Sequence, residues 1–456
     1  MILQGDALDK LSKLEDNSVD AIVTDPPYGL KFMGKKWDYD VPSVDLWKEC
    51  LRVLKPGAFL LSFAGTRTYH RMAVNIEDAG FEIRDMISWL YGSGFPKSLN
   101  IGKQIDKIQG NEREDLGLSK HSQPAKSGHH AGLTDTHINF EEDKERFTPR
   151  ETKGNSEWEG WGTALKPACE PIVVARKPLS EKNVASNCLK WGTGGINIDG
   201  CRVESSDKLA RDNTGMKQSP MNMEDGWNNN SMKGLNKGEP TGRFPANIIL
   251  DEEAGKILDE QSGNIKSGSV NGIYGHKEGF ASGSIQQNVK ASQGGASRFF
   301  YCAKASKSER NMGCEELEEK EMGRNQSSLD GGKMLTGSGN ERSNTKKNNH
   351  PTVKPIKLME YLVKLVSKEN AKVLDPFMGS GTTRIACKKL NREFIGIERE
   401  EDYIKIAEAR ISSQSVQNKN TAQQNTTNNK DTNIKGNLTA QSNTAYNLNK
   451  TSEEEP

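Results

Sequence analysis

The sequence lacks any pair of cysteines in a C-x-x-C arrangement, although it contains seven cysteines among its 456 residues. This absence argues against a zinc knuckle or a zinc ribbon, which use closely spaced cysteine pairs. The odd number of cysteines and the lack of a secretory signal peptide favour a reducing cytosol, and so a cytoplasmic protein, over a disulfide framework. No apolar run approaches the roughly 18 residues that a membrane-spanning helix needs.

Apolar, periodic segments are concentrated at the two ends of the chain, whereas the middle is rich in Gly, Ser and Asn. Near both ends, strand-like and helix-like segments alternate, as βαβ units with a parallel sheet require. The last residues, 412–456, contain too few apolar side chains to fold, and we expect a disordered tail there. The formal net charge of +1 does not reveal whether the protein has a local basic face.

The segment VDAIVTDPPYGL, residues 19–30, combines a short apolar strand with a stiff turn. Because prolines cannot continue a ladder of hydrogen bonds, the strand should end at Asp25. Pro26, Pro27 and Tyr28 then form a turn at the carboxyl end of the strand, where open α/β sheets bind ligands. Such a turn can be purely structural. However, a carboxylate and a proline carbonyl can also accept both N–H groups of an exocyclic amine, and a tyrosine ring can stack on a flipped base.

The segment VLDPFMGSGTT, residues 373–383, indicates a strand, a tight glycine turn and the start of a helix. Gly379 and Gly381 would let the backbone approach a ligand closely. Glu398 ends the next predicted strand, a position at which an acid suits ribose hydroxyls. No lysine follows the glycines, which excludes a phosphate-binding P-loop. Asp375 would repel a pyrophosphate, so the segment favours a cationic cofactor that contains a nucleoside, although glycine turns of this kind also occur without a ligand.

Together, DPPY and DPFMGSGTT resemble the motifs of the S-adenosylmethionine-dependent DNA amino-methyltransferases, which methylate adenine N6 or cytosine N4. The catalytic motif precedes the cofactor loop here, which resembles the circularly permuted beta group of that family. The segments SFAGTRTYHRM, ASRFFYCAKASKSERN and NHPTVKPIKLMEYL resemble DNA methylases of bacteriophages and prophages. The resemblance covers about residues 1–99, 167–179, parts of the middle and 350–411.

The resemblance implies an α/β, Rossmann-like methyltransferase fold with a mixed seven-stranded sheet. If the motif order is permuted, the strand that ends at Asp6 should lie beside the strand that ends at Glu398. One antiparallel strand is expected at the edge of the sheet, at residues 172–175. The implied division of the chain is a catalytic half at 1–97, a polar insertion at 98–163, the last strand of the catalytic half at 164–179, a target-recognition region at 180–349, a cofactor-binding half at 350–411 and the disordered tail at 412–456.

The resemblance also assigns roles to individual residues. Asp25, Pro26, Pro27 and Tyr28 correspond to the catalytic motif. The implied cofactor-binding residues are Asp375, Pro376, Phe377, Gly379, Ser380, Gly381 and Thr382 around the methionine part, Glu398 at the ribose and Asp6 near the adenine. Weaker candidates are Thr352, Lys354 and Pro355, in the stretch that helps to close the pocket.

Basic and aromatic residues alternate in the segment SRFFYCAKASKSER, residues 297–310. Arg298, Lys304 and Lys307 are candidates for phosphate contacts with DNA, since lysines and arginines interleaved with aromatics suit phosphate binding and stacking. The alternative is that FFYCAK is a core strand flanked by solvated charges. Arg67, which follows the strand ending at Phe63, is a further candidate for the DNA cleft.

The sequence therefore predicts a DNA methyltransferase that uses S-adenosylmethionine and acts on double-stranded DNA. Adenine N6 is the preferred target, because Asp at the first motif position is typical of adenine methylases, and cytosine N4 stays open. No metal is expected, since His129, His130 and His137 have no Cys or acid in register, and neither His70 nor His350 is expected to be essential. A partner restriction endonuclease and the oligomeric state are left open. The alternatives are an RNA or protein amine methyltransferase and an inactive DNA-binding protein.

Overall fold

The computed structural model describes residues 1–30, 38–94, 98–118, 150–205, 242–266, 270–274, 285–289, 293–303, 307–321, 345–350 and 352–413. Within these residues, a nine-stranded sheet forms the centre of the fold. Its strands are β1 Ile2–Gln4, β2 Val19–Thr24, β3 Leu54–Phe63, β4 Glu82–Leu90, β7 Cys169–Arg176, β8 Ile248–Asp251, β13 Tyr301–Ala303, β16 Lys372–Asp375 and β17 Glu393–Glu398. Their order across the sheet is β1-β17-β16-β2-β3-β7-β4-β8-β13.

Four two-stranded ribbons accompany the central sheet. They are formed by β5 Glu114–Leu118 with β6 Arg150–Lys153, β9 Ile265–Lys266 with β12 Gln293–Gly294, β10 Val270–Tyr274 with β11 Ile285–Val289, and β14 Lys320–Glu321 with β15 Thr345–Lys346. The α-helices are α1 Ala7–Leu11, α2 Val44–Val53, α3 Tyr69–Asp78, α4 Ile101–Gln109, α5 Val184–Trp191, α6 Glu252–Ser262, α7 Ile356–Val366, α8 Thr382–Lys389 and α9 at 401–413. None of these helices is both long enough and apolar enough to span a membrane.

The helices start and stop at residues whose side chains suit those positions. Asp6 caps α1 by accepting a hydrogen bond from the backbone N–H of Leu8, at 2.9 Å. Asn100 caps α4 in the same way, and Gly110 ends that helix in the left-handed conformation. These are the residue types that satisfy the free backbone groups at helix ends at low cost.

The two faces of the sheet carry two separate hydrophobic cores. Ala21 and Val23 of β2 point into the core that contains α7, whereas Val19 and Ile22 point into the core that contains α2 and α3. The opposite directions of Ile22 and of its neighbours Ala21 and Val23 follow from the two-residue period of a strand. Val19 does not follow this period, because the pairing of β2 with β3 is irregular between Val19 and Ala21. Because both faces are buried, β2 reads as a continuous apolar run in the sequence.

The permuted strand order is confirmed. β1 pairs in parallel with β17, with Ile2 opposite Gly396 and Gln4 opposite Glu398. β16, which carries the glycine loop, lies between β17 and β2. The strand made first in the chain therefore completes the part of the sheet formed by the last strands, and it brings Asp6 beside Glu398.

Two expectations about the sheet need correction. All seven expected strands are present, but β8 and β13 extend the sheet to nine, each pairing in parallel. The antiparallel strand is β7, as expected, but it lies between β3 and β4 rather than at an edge. Its sequence is buried from residue 171 to 176, which fits an interior position because an edge strand would leave one row of backbone groups unpaired.

The polar regions contain more regular structure than their composition suggests. The segment 98–118 contains α4 and the first strand of the β5–β6 hairpin. Arg113 holds this insertion together by donating hydrogen bonds to Asp106 and Glu159. In the middle region, β8 and β13 belong to the central sheet, so FFYCAK does include a core strand, at Tyr301–Ala303. Beyond residue 413, the predicted tail lies outside the described residues.

Candidate active site

A cavity of about 260 Å³ opens at the carboxyl ends of β1, β2, β16 and β17. This is the edge at which parallel α/β sheets bind ligands. The two motifs singled out in the sequence meet there, since the turn after β2 and the glycine loop after β16 both line the cavity. The residues expected at the site that line it are Asp6, Asp25, Pro26, Pro27, Tyr28, Thr352, Lys354, Asp375, Pro376, Phe377, Gly379, Ser380, Thr382 and Glu398.

The turn that carries Pro27 and Tyr28 is held in shape by one buried carboxylate. Asp38 accepts hydrogen bonds from the backbone N–H groups of Tyr28, Gly29 and Leu30 at 2.8, 2.9 and 3.2 Å. Two prolines at 26 and 27 have no N–H of their own, so the rest of the turn depends on this acceptor. Asp38 could not be identified from the sequence, because an acid in a loop ten residues away has no characteristic spacing.

Asp25 lies in a cluster of charged and polar side chains. One carboxylate oxygen accepts a hydrogen bond from the Tyr28 hydroxyl at 2.7 Å, and the other accepts one from Nζ of Lys354 at 2.6 Å. Glu170, at the start of β7, accepts from the same Tyr28 hydroxyl at 3.0 Å and lies 3.2 Å from the same ammonium. Lys354 therefore contacts the turn after β2 in this structure, whereas the resemblance implied a contact with the cofactor.

Burial and charge shift two pKa values in this cluster. Burial raises the pKa of Tyr28 well above its ordinary value, and the charges of Asp25 and Glu170 raise it further, so the hydroxyl stays protonated. For Lys354, burial lowers the pKa, but the two carboxylates more than offset this, and the pKa of the ammonium is raised. The cluster thus keeps one hydroxyl proton and one ammonium between two acids.

Asp375, the last residue of β16, fixes the start of the glycine loop through hydrogen bonds. The hydroxyls of Thr24 and Thr383 donate to its two carboxylate oxygens at 2.7 and 2.6 Å, and the N–H of Phe377 donates at 3.1 Å. Burial raises the pKa of Asp375 to about 6, although these hydrogen bonds oppose the rise. Its side chain is almost fully buried, so it shapes the loop and contributes negative potential to the cavity.

The glycine loop itself needs glycine at two positions. Gly379 and Gly381 have φ angles of +53° and +76°, a region that other residues rarely adopt. A Cβ atom at Gly379 would lie 2.6 Å from Nε2 of His350, and one at Gly381 would lie 2.9 Å from the Cβ of Ala407. Gly381 packs against α9 and does not line the cavity. Its expected cofactor contact is therefore indirect, through the shape of the loop.

Glu398 connects the end of β17 to the glycine loop. Its two carboxylate oxygens accept hydrogen bonds from the N–H groups of Gly379 and Glu400, each at 2.8 Å. Burial raises the pKa of this carboxyl group. The carboxylate lines the cavity beside Asp6, where the permuted strand order brings the two acids together.

His350 lines the cavity, and Arg410 supports it from behind. The imidazole of His350 packs edge-on against Tyr403, and burial lowers its pKa to about 4, so it is neutral at pH 7. Arg410 is fully buried in α9 and donates to the Ser380 carbonyl at 2.5 Å and the Thr382 hydroxyl at 3.1 Å. A signal for Arg410 was present in the sequence, because it falls on the apolar face of the last amphipathic helix.

The residues predicted to contact DNA do not form one cluster in the way that the cavity residues do. Arg67 is exposed in the turn before α3, and this turn starts at Gly65, which packs close to the Tyr28 ring. Arg298 donates to the backbone carbonyls of Gly294 and Gly295 and stacks on Phe299, with 4.7 Å between its guanidinium carbon and the ring centre. Lys304 and the side chain of Lys307 lie outside the described residues.

Among the described residues, no group of three or more His, Cys, Asp or Glu side chains is arranged to hold a metal ion. His129, His130 and His137 lie outside those residues. The expectation of a metal-free site remains a prediction.

The fold and the site define a Rossmann-like α/β protein in which one cavity joins a glycine loop to an Asp-Pro-Pro-Tyr turn. A family model described as DNA methylase matches residues 19–409. The chain therefore belongs to the DNA methylase family.

Individual relatives match different lengths of the chain. Type II methyltransferase M2.LlaDCHI of Lactococcus lactis subsp. cremoris is 44% identical over 79 residues, which are 17% of this chain and 29% of that protein. M2.DpnII of Streptococcus pneumoniae is 46% identical over 15% of this chain and 26% of its own length, so the chain spans less than a third of either relative. M.HindIII of Haemophilus influenzae is 22% identical over 90% of this chain and 94% of its own length.

Among solved structures, the cytosine-N4-specific PvuII DNA methyltransferase is 12% identical, with a TM-score of 0.39 over 90% of this chain and 85% of that one. The complex of M1.HpyAVI with SAM is 17% identical, with a TM-score of 0.34 over 90% and 98% of the two chains. The resemblance to phage enzymes is not tested by these relatives and stays a prediction.

Proposed function

We propose that this protein transfers a methyl group from S-adenosylmethionine to the exocyclic amine of a base flipped out of double-stranded DNA, with adenine N6 as the target. The observation that carries the proposal is the meeting of the Asp25–Tyr28 turn and the glycine loop in one cavity. Membership of the DNA methylase family supports it. A flipped base is required, because the amine of a paired base is not accessible to such a cavity.

The cavity lining suits a cationic cofactor. Six acids line it, namely Asp6, Asp25, Asp38, Asp375, Glu398 and Glu400. This lining would repel a pyrophosphate, but it favours a ligand that carries a sulfonium and an amine. The glycine loop would let the backbone approach the methionine part closely, while Glu398 would bind the ribose and Asp6 would lie near the adenine.

The groups after β2 are suited to the target amine. An exocyclic amine is a poor nucleophile because its lone pair is conjugated with the base. Asp25 and the Pro26 carbonyl would accept its two N–H groups and localise that lone pair, and Tyr28 would face the base.

S-adenosylmethionine supplies the methyl group when it is bound. The amine nitrogen forms the new N–C bond while the C–S bond breaks and its electron pair stays on sulfur, and the methylated nitrogen then loses a proton to water. The chain's own contribution is positioning and electrostatics, which account for large rate effects when the reacting atoms are well aligned.

Adenine is favoured over cytosine by the Asp at the first position of the motif. Cytosine N4 is the second candidate. We further propose that the segment 180–349 reads the DNA sequence, that Arg67, Arg298, Lys304 and Lys307 contact phosphates, and that the protein acts in the cytoplasm. The division of the chain at 97, 163, 179, 349 and 411 belongs to the same proposal.

The test is nucleoside mass spectrometry of duplex DNA incubated with the purified protein and S-adenosylmethionine. Asp25→Ala is the inactive variant, and Asp78→Ala, an exposed acid on α3, is the matched control. We expect N6-methyladenine with the wild type and with Asp78→Ala, and none with Asp25→Ala. Detection of N4-methylcytosine instead would support the same mechanism but show that the target base is cytosine. If only RNA or protein were methylated, or if the cofactor bound without any transfer, the proposal would be wrong.

A further inference from the structure

The ammonium of Lys354 is enclosed on all sides by groups that stabilise a cation. Its Nζ lies 2.6 Å from Oδ2 of Asp25 and 3.2 Å from Oε2 of Glu170. It also lies 3.2 Å from the Tyr28 hydroxyl and 4.8 Å from the centre of the Phe63 ring. With only 8% of its side chain exposed, the ammonium is held by these partners rather than by water.

Glu170 reaches this cluster because β7 runs antiparallel to its neighbours. The first residues of β7 lie at the same edge as the last residues of the parallel strands, and Glu170 is in register with Trp89 near the end of β4. Its Oε2 is 3.0 Å from the Tyr28 hydroxyl. The hydroxyl and the ammonium therefore each lie between two carboxylates, those of Asp25 and Glu170.

This arrangement creates a competition for donors. Tyr28 has one hydroxyl proton, which can be donated to only one carboxylate at a time. Asp25 currently has a donor on each oxygen, whereas the ammonium contact with Glu170 is 0.6 Å longer than that with Asp25. A substrate amine that bonds to Asp25 must compete with these donors, and an ammonium bonded to a carboxylate weakens it as an acceptor.

We propose that Glu170 is a positioning residue for the proposed methyl transfer. When the target amine bonds to Asp25, the Glu170 carboxylate accepts the hydrogen bonds that the Lys354 ammonium and the Tyr28 hydroxyl otherwise donate to Asp25. The inference rests on the proposed function. A small movement of the ammonium from one carboxylate to the other would free accepting lone pairs on Asp25 without leaving a buried cation unpaired. An unpaired buried cation would be costly, and Glu170 removes that cost.

The charge balance around Lys354 predicts how variants should behave. Asp25 and Glu170 carry two negative charges against one positive charge. Among the described residues, the other titratable groups that interact with the cluster are Tyr91, Cys169, His350 and Asp375. Loss of the Glu170 charge leaves the ammonium with Asp25 alone. Loss of the ammonium instead leaves two carboxylates that repel each other, so that one of them binds a proton at higher pH.

The experiment is a double-mutant cycle with Glu170→Gln, Lys354→Met and the double variant. Glu77→Gln and Lys13→Met, at exposed positions on α3 and after α1, are the matched controls. The affinity for S-adenosylmethionine and the melting temperature are measured first, to establish that each variant is folded. Then kcat and KM for duplex DNA are measured from pH 6 to 9.

We expect Glu170→Gln to lower kcat by about tenfold or more, with KM and cofactor affinity within about twofold of wild type. Lys354→Met should move the acidic limb of the pH profile to higher pH. The double variant should be more active than Glu170→Gln at pH 8, and its acidic limb should return towards that of the wild type, because both charges of the pair are gone.

Two outcomes would overturn the inference while leaving the proposed function intact. One is a Glu170→Gln variant with wild-type kcat, and the other is a double variant no more active than Glu170→Gln. A purely structural role of Glu170 would give the second result, since removing Lys354 would then rescue nothing. If the wild type and both control variants failed to methylate DNA, the proposed function would be wrong, and this inference with it.

Discussion

Asp375 is the buried acid whose protonation should be visible in the stability of the protein. Its pKa of about 6 lies above the ordinary value of 3.8, so the folded protein binds this proton more tightly than the unfolded chain. The stabilisation from this group is therefore complete below about pH 4 and is lost as the pH rises through about 6.

Asp375→Asn should remove this pH dependence, because the amide does not titrate. We expect the free energy of unfolding of the wild type, relative to Asp375→Asn, to fall by up to about 3 kcal/mol between pH 4 and pH 6.5. Urea unfolding at a series of pH values measures this difference, with Asp78→Asn as the exposed control. A difference that does not change with pH would show that Asp375 does not titrate in this range.

Asp38 offers a second test at the scale of single residues. Asp38→Ala removes the acceptor for three backbone N–H groups, and buried donors without a partner cost about 1–3 kcal/mol. We expect a loss of stability of that order and a drop of more than about tenfold in methyl transfer, since the Tyr28 turn loses its shape. Asp40→Ala, at an exposed neighbour, should change both quantities little, and equal effects in the two variants would contradict the assigned role of Asp38.

At this scale, the sequence identified the residues that belong to motifs and missed those that support them. Asp25, Asp375 and Glu398 were predictable because each ends an apolar strand. Asp38 was not, since its contacts depend on how a loop folds back. Glu170 was partly predictable, because it directly precedes a buried strand, but its importance depends on that strand being antiparallel.

The glycine turn between β16 and α8 shows what one element requires. Gly381 and Gly110 have similar φ angles, +76° and +70°, but different surroundings. A Cβ at Gly381 would press on Ala407 of α9, whereas a Cβ at Gly110 would meet nothing within 4 Å. The pair therefore separates the cost of backbone strain from the cost of steric overlap.

We expect Gly110→Ala to destabilise the protein by about 1 kcal/mol, the cost of the left-handed conformation alone. Gly381→Ala should cost about 2 kcal/mol or more, because α9 must also move, and it should weaken the binding of S-adenosylmethionine. Thermal unfolding and equilibrium titration of the cofactor measure the two effects. Equal destabilisation by the two substitutions would mean that α9 can move away from the new methyl group at no cost in the free energy of unfolding.

The elements of the sheet were largely predictable, and the exceptions have physical reasons. The seven expected strands are apolar runs with clear ends. β8 and β13 have only four and three residues and belong to a region of the sequence that is mostly polar. They are too short to be identified from the periodicity of apolar residues. The interior position of β7 was missed because an interior strand and a covered edge strand have the same apolar sequence.

At the scale of the whole molecule, α9 is the last element that packs against the core, and the residues that follow it are not expected to do so. Tyr403, Ile406 and Arg410 of this helix are buried, whereas the composition after residue 413 predicts disorder. Truncation after Ser413 should leave the free energy of unfolding within about 0.5 kcal/mol of the full chain. Truncation after Glu400 should abolish cofactor binding, because it removes the supports of His350 and Ser380.

Urea unfolding and cofactor titration of the two truncated proteins test this boundary. A large loss of stability on truncation after Ser413 would show that the last segment packs on the domain. The full-length chain and the protein that ends at Glu400 are the two references with which the stability and the cofactor affinity of the protein that ends at Ser413 are compared.

The pairing of β1 with β17 and of β2 with β16 also has a consequence for synthesis. The ribosome delivers the first two strands early and their neighbours only near the end, which at about 5–20 residues per second is a wait on the order of 20–70 seconds. During that wait the apolar edge of β2 is open to chaperones and to other nascent chains. The cavity that unites the two motifs is thus completed only when the last strands are made, so a stalled or shortened nascent chain lacks the site that we propose for methyl transfer.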